Sequence, residues 1–136
     1  MSFSFEISAT NLPVMDSGLL GKGTDPYFVL YHKDKQIYRS ETNTKSLNPC
    51  FKPFTLTVED LPCESPLSAE IKLVMFDFDM MTANDPIGDL SFKIGDHLMG
   101  GMLKLQNVTK ETVRGGARVD IKTSQSNNQF RKSGAY

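Results

Sequence analysis

Apolar and polar residues alternate along most of this chain with period two. Phe3, Phe5 and Ile7 interleave with Ser4, Glu6 and Ser8, the pattern of a strand with one buried face. Asn11-Leu12-Pro13 ends that strand, and residues 16–25, with three glycines and no alternation, read as a long loop. Residues 27–31 predict a second strand, and Asp34-Lys35 marks a tight turn into a third at 36–41. A loop at 43–49 precedes a fourth strand at 51–58, with Leu56 and Val58 on one face. The two prolines within 61–66 require a connecting loop. Strands at 69–76 and 87–94 flank an acidic stretch, and 95–100 has room for one short helical turn. Segments 102–105 and 117–122 supply the last two strands, separated by a polar loop around Gly115-Gly116. Eight short strands punctuated by turn residues predict an all-β antiparallel sandwich. Residues 1–124 form the domain; 125–136, polar and unpatterned, read as a flexible tail or the start of a linker.

Composition narrows the function. At 136 residues the chain is one domain with room for a real core. It has 15 basic and 16 acidic residues, a net charge of -1, so bulk charge points to no nucleic-acid partner. No apolar stretch approaches the roughly 20 residues that span a bilayer, and the N-terminus lacks the features of a signal peptide. Cys50 and Cys63 are too few for a disulfide framework and lack zinc-site neighbours, so reduced thiols in a cytosolic domain are expected. His32 and His97 are isolated and read as polar contacts of surface or core.

The chemistry gathers in two loops. Asp77, Asp79 and Asp85 follow the fifth strand at spacing D-x-D-x5-D, where a loop can fold back on itself. Negative charge collected this way repels itself, and a hard divalent cation with oxygen ligands relieves the repulsion. Calcium accepts the irregular geometry that a loop offers. Another acidic loop, earlier in the chain, carries Asp16 and Asp25, the latter opening the apolar run of the second strand. Turn chemistry explains an Asp before Pro26, or one at a strand end, taken singly; it does not explain five placed this way.

With these pieces in order, the chain resembles a C2 domain from about residue 3 to residue 123. The matching segments are Asn11-Leu12, Gly23-Thr24-Asp25-Pro26-Tyr27, Lys45-Ser46-Leu47-Asn48-Pro49 and the run Asp77-x-Asp79-x5-Asp85-x-Ile87-Gly88. The resemblance implies an eight-stranded antiparallel Greek-key sandwich with three loops at one end. It implies two or three Ca2+ ions held by Asp16, Asp25, Asp77, Asp79 and Asp85. The carbonyls of Met15 and Phe78 match the usual main-chain ligands, and Thr82 supplies a hydroxyl for a weaker additional ion. A strand running straight into the first acidic loop, with an additional strand closing the domain, is similar to the permuted type II topology. One departure is the inserted Ser17-Gly18-Leu19-Leu20-Gly21, which lengthens the interval from Asp16 to Asp25.

The expected function is calcium-dependent binding to an anionic phospholipid membrane, such as one containing phosphatidylserine, by a cytoplasmic monomer recruited when calcium rises. Leu19, Leu20, Met80 and Met81 form apolar pairs at loop tips, where a bilayer interface accepts them; the alternative is that they fold back onto the core. Lys22 adds a cation for a lipid phosphate. An enzyme is not expected, and neither is a small-molecule substrate. The chain lacks a phosphate-binding glycine loop, a Ser/His/Asp set and an EF-hand run, and Thr82 falls one position late for a D-x-D-x-T phosphotransfer motif. The rival reading is a calcium-independent C2 adaptor that contacts proteins.

Overall fold

A computed structural model describes residues 1–15, 23–61, 65–80, 83–107 and 112–124. Eight strands form, in chain order: β1 (Ser2–Thr10), β2 (Pro26–His32), β3 (Lys35–Arg39), β4 (Phe54–Thr57), β5 (Glu70–Asp77), β6 (Asp85–Lys93), β7 (Met102–Asn107) and β8 (Thr112–Ser124). They hydrogen-bond as one antiparallel ladder in the order β3-β2-β5-β6-β7-β8-β1-β4. The ladder curls into two layers of four. Its seam lies between β6 and β7, which among the described residues register at Asp89–Gln106. β1 lies between β8 and β4 and leads into the first acidic loop, the permuted order that the sequence implies.

Alternation decides which faces meet. Phe3, Phe5, Ile7 and Ala9 of β1 point inward and are buried, as are Ile71, Leu73 and Met75 of β5. Phe28 and Leu30 of β2 join the same core. The two ends of the ladder close on each other through aromatic rings. Tyr38 of β3 stacks on Phe54 of β4, with centroids 3.7 Å apart. Phe54 also stacks on Phe5 at 4.9 Å, while Phe28 meets the edge of Phe51 at 4.9 Å. Phe5 and Phe54 are paired neighbours within one layer, while Tyr38–Phe54 and Phe28–Phe51 cross between the layers and make the curled sheet a sandwich.

Several boundaries differ from the sequence expectation. The fourth strand is shorter than 51–58: Pro53 has no N–H for a ladder, β4 starts after it, and Val58 opens a 3-10 turn, Val58–Asp60. Phe51 is buried outside the strand, its N–H donating to the Ile7 carbonyl at 3.1 Å. At the end of the expected connector, Pro66–Ser68 makes a second 3-10 turn that runs past it. The helical turn foreseen at 95–100 occurs at Ile94–His97. The hairpin tip is Lys33-Asp34, both left-handed with φ of 51° and 65°, the geometry of the tight turn that matches strand twist.

Gly115 and Gly116 are the clearest correction, because they lie inside β8 and not in a loop. Lys104 pairs with Gly116 and Gln106 with Val113, so Leu105 faces both residues 114 and 115 across the ladder. That is a β-bulge, with Gly115 at φ 88° as the residue that lets the strand bend. A Cβ there would stand 2.6 Å from the carbonyl oxygens of Thr10 and Asn11. Gly115→Ala is therefore expected to cost about 3 kcal/mol in urea unfolding, from backbone strain plus the clash. Gly116→Ala, with ordinary φ and a nearest contact of 3.2 Å, should lose clearly less.

Cys50 is a free, exposed thiol, and Cys63 lies outside the described residues. The isolated His97 is buried, its ring against Phe92 at 5.3 Å and its Nδ1 3.2 Å from the Val119 carbonyl oxygen. Among the described residues no helix is long and apolar enough to cross a membrane. The expected tail, 125–136, lies outside the described residues.

Candidate functional site

Strand pairing brings three acids to one rim. Pro26, at the start of β2, pairs with Asp77 at the end of β5, and Asp77 pairs with Asp85 at the start of β6. Asp25, Asp77 and Asp85 therefore sit in a row across three adjacent strand ends, neighbouring backbones about 5 Å apart. A bulge sets this alignment: Met75 pairs with Gly88 but Phe76 pairs with Pro86, so Ile87 is extra. Without it Asp77 would face Pro86. Bulges beside functional rims re-aim side chains in this way.

Backbone N–H groups then fix the carboxylates. The Asp25 N–H donates to Asp77 Oδ1 at 2.8 Å, and the Phe78 N–H returns a bond to the Asp25 carbonyl at 2.9 Å. The Lys45 N–H, from the loop after β3, donates to Asp25 Oδ1 at 2.7 Å. Asp77 is only 5% exposed, so its charge is held where water is scarce. The Asp79 N–H donates to Asn84 Oδ1 at 2.9 Å, closing the third loop, the one between β5 and β6, on itself.

The first loop is tied down at its base by Thr24. That residue is buried, its hydroxyl donates to the Pro13 carbonyl, and it accepts the Met15 N–H at 3.0 Å. Beside it the second loop runs along the end of β1. Asn48 Oδ1 accepts the Asn11 N–H at 3.0 Å, and the Leu47 carbonyl accepts the Leu12 N–H at 3.0 Å. Two of the short motifs singled out in the sequence thus touch.

Of the expected site residues, the structure brings Asp25, Asp77 and Asp85 together and places Asp79 just beyond them in the same loop. Met15 is partly buried against the core, and the Phe78 peptide is bonded to the first loop. Met80 stands at the loop tip with 84% of its surface exposed. Asp16, Leu19, Leu20, Lys22, Met81 and Thr82 lie outside the described residues. Among the described residues, no three His, Cys, Asp or Glu side chains are drawn into a preformed metal cage. The donors on the rim are nonetheless all carboxylate oxygens, hard ligands that suit calcium or magnesium and disfavour zinc or copper. One oxygen of Asp25 and one of Asp77 are oriented by backbone N–H groups. This donor set fits a hard divalent ion.

Three residues with a hand in the site were not assigned roles from sequence: Thr24, Tyr27 and Asn84. Thr24 and Tyr27 flank Asp25 and Pro26, and Asn84 sits inside the acidic spacing, so adjacency to the acids was the available signal.

A cleft of about 550 Å³ opens elsewhere, lined by His32, Lys33, Asp34, Glu70, Lys72 and Ser91 among others. Its two lysines are matched by two carboxylates, so charge selects no ligand there. Burial, and then the charge of Lys33, hold His32 below the ordinary imidazole range.

Comparison with known proteins agrees with this architecture. The family model described as the C2 domain matches residues 5–112. The chain is 36% identical over 96 residues to Synaptotagmin-7 of Mus musculus, covering 65% of this chain and 22% of that protein. To Synaptotagmin 1 of Drosophila melanogaster it is 30% identical over 86 residues, or 62% of this chain and 17% of that protein. The chain spans less than a quarter of the length of these relatives. Among solved structures it resembles a C2 domain of plant Extended Synaptotagmin 1, with a TM-score of 0.69 at 17% identity over 92% of this chain and 96% of that one. Human GIVD cytosolic phospholipase A2 matches with a TM-score of 0.60 at 18% identity, over 92% of this chain and 16% of the enzyme, which is a likeness of fold alone. A single family model matched across most of the length, on a curled eight-stranded sandwich with an acidic rim, places this chain in the C2 domain family.

Proposed function

We propose that the acidic rim is a calcium-gated contact for an anionic phospholipid membrane. The observation that carries this reading is the row Asp25, Asp77 and Asp85, with Asp77 buried, beside an exposed Met80. Without an ion, such a rim repels an anionic surface. Two calcium ions bring four positive charges, reverse the local sign and leave coordination positions for lipid phosphate or carboxylate oxygens. The switch is electrostatic and acts within about 8 Å at physiological salt. Asp79 and Asp16 extend the carboxylate set, the Met15 and Phe78 carbonyls complete it, and Thr82 serves a third, weaker ion.

A second term is apolar. Met80, with Leu19, Leu20 and Met81, enters the bilayer interface, each fully buried side chain contributing about 1.5–3 kcal/mol before ordering costs. Lys22 meets lipid phosphate at about 1 kcal/mol. The domain acts as a monomer in the cytoplasm, moves to membranes as calcium rises, and performs no catalysis of its own.

Titration calorimetry with calcium, repeated with phosphatidylserine vesicles, tests the reading. Calcium is expected to bind between about 10⁻⁷ and 10⁻³ M, more tightly when vesicles are present, and magnesium should compete poorly. Calcium should also raise the melting temperature, since it binds the folded loops. Met80→Ser should leave calcium affinity in lipid-free solution unchanged while weakening vesicle binding. No heat and no melting shift at millimolar calcium refute the proposal and leave the adaptor role.

A further inference from the structure

The third loop owes its shape to a residue that is not itself an acid. Asn84 uses both ends of its amide: Oδ1 accepts the Asp79 N–H at 2.9 Å, and Nδ2 donates to the Tyr27 hydroxyl oxygen at 2.6 Å. Tyr27 is a firm anchor. It is 4% exposed, its ring stacks on Phe76 at 5.3 Å, and the Arg39 guanidinium lies 4.2 Å above its centroid. Tyr27 follows Asp25 by two residues, Phe76 immediately precedes Asp77, and Asn84 immediately precedes Asp85. One side-chain chain thus joins the three segments that carry the acids.

We propose that Asn84 and Tyr27 are positioning residues of the cation site, setting the reach of Asp79 and Asp85 and so the affinity and size preference for the ion. This rests on the cation-binding reading above. Neither side chain is needed as a ligand: both amide ends of Asn84 are already engaged, and the tyrosine hydroxyl takes the second. Their contribution is preorganisation. Four carboxylates that repel one another drift apart unless the loop holding them is braced, and a braced loop spends less ordering entropy when the ion arrives. Groups that orient metal ligands in this manner, when removed, lower metal affinity by about 10–100-fold. Arg39 packs on the ring and keeps it in place, so it belongs to the anchor.

The test uses the full chain and calcium alone. Tyr27→Phe keeps the ring, its stack on Phe76 and the arginine above it, and deletes only the hydroxyl. It should leave the calcium-free melting temperature near that of the parent and weaken calcium about 10-fold. Asn84→Ala should weaken it at least as much, and the double variant no further than Asn84→Ala, because both changes break one linkage. The ratio of calcium to barium affinity should fall in all three, as a loosened loop no longer discriminates by size; loss of general stability would not produce that change. Asn84→Asp retains an acceptor for the Asp79 N–H and can accept a hydrogen bond from the tyrosine hydroxyl, so it should restore the size preference. A parent that binds calcium while Tyr27→Phe matches it in both affinity and selectivity overturns the brace alone. A parent that takes up no calcium overturns the cation reading, and the brace with it.

Discussion

Replacing Asp77 and Asp79 together with asparagine is expected to weaken calcium binding on the order of 100-fold or more and to abolish calcium-dependent vesicle binding with it. Ligand charge count is what tunes calcium affinity across its wide range in oxygen sites. Asparagine keeps the shape and an oxygen but gives up the charge. The fold should survive: an asparagine at 77 still offers Oδ1 to the Asp25 N–H, which now donates to the carboxylate at 2.8 Å. The calcium-free melting temperature should equal or exceed that of the parent, since two of the crowded negative charges are gone. Calorimetry for calcium and sedimentation with phosphatidylserine vesicles read the two losses together. Calcium affinity within a few-fold of the parent would place the ion elsewhere.

The second large effect belongs to the core. Phe28→Ala should lower stability by about 3–5 kcal/mol, a fall in melting temperature on the order of 10–15 °C. Phe28 is fully buried and lies against Phe51, Tyr38 and Phe54, so its loss empties the centre of the contact between layers. If the acidic loops hold calcium as proposed, calcium at 100 times its dissociation constant should restore about 2.7 kcal/mol. Urea unfolding with and without calcium separates these two amounts. A loss below about 1 kcal/mol would mean that the aromatic cluster collapses to refill the space.

Much of this could be read in the sequence, because strands with one wet face write their period plainly. β1 alternates without interruption, and its buried residues are those the pattern selects. The placement of Asp25, Asp77 and Asp85 at neighbouring strand ends was also legible, since each borders an apolar run whose period marks a strand. The misreadings have a common cause. Gly115-Gly116 resembles a turn in composition, yet it serves a bulge whose need arises only when Thr10 and Asn11 pack against it. Phe51 has strand composition, but Pro53 interrupts the ladder and leaves the ring to the core. Asn84 reaches a tyrosine 57 residues away. A hydrogen bond of that span is fixed by strand register, and no local window of sequence contains it.

The stacking of Tyr38 on Phe54 has one more consequence. Those residues belong to β3 and β4, the two ends of the ladder, where unpaired backbone groups would otherwise invite another chain to add a strand. Both ends are short, five and four residues, and Lys35, Lys52 and Pro53 attend them with charge or a missing donor. Such features discourage edge-to-edge pairing. A domain gathered onto a membrane would be crowded into two dimensions, where even weak self-association is amplified. If the rim binds a membrane as proposed, sealing each edge against the other would let many copies share one bilayer without polymerising through their strands.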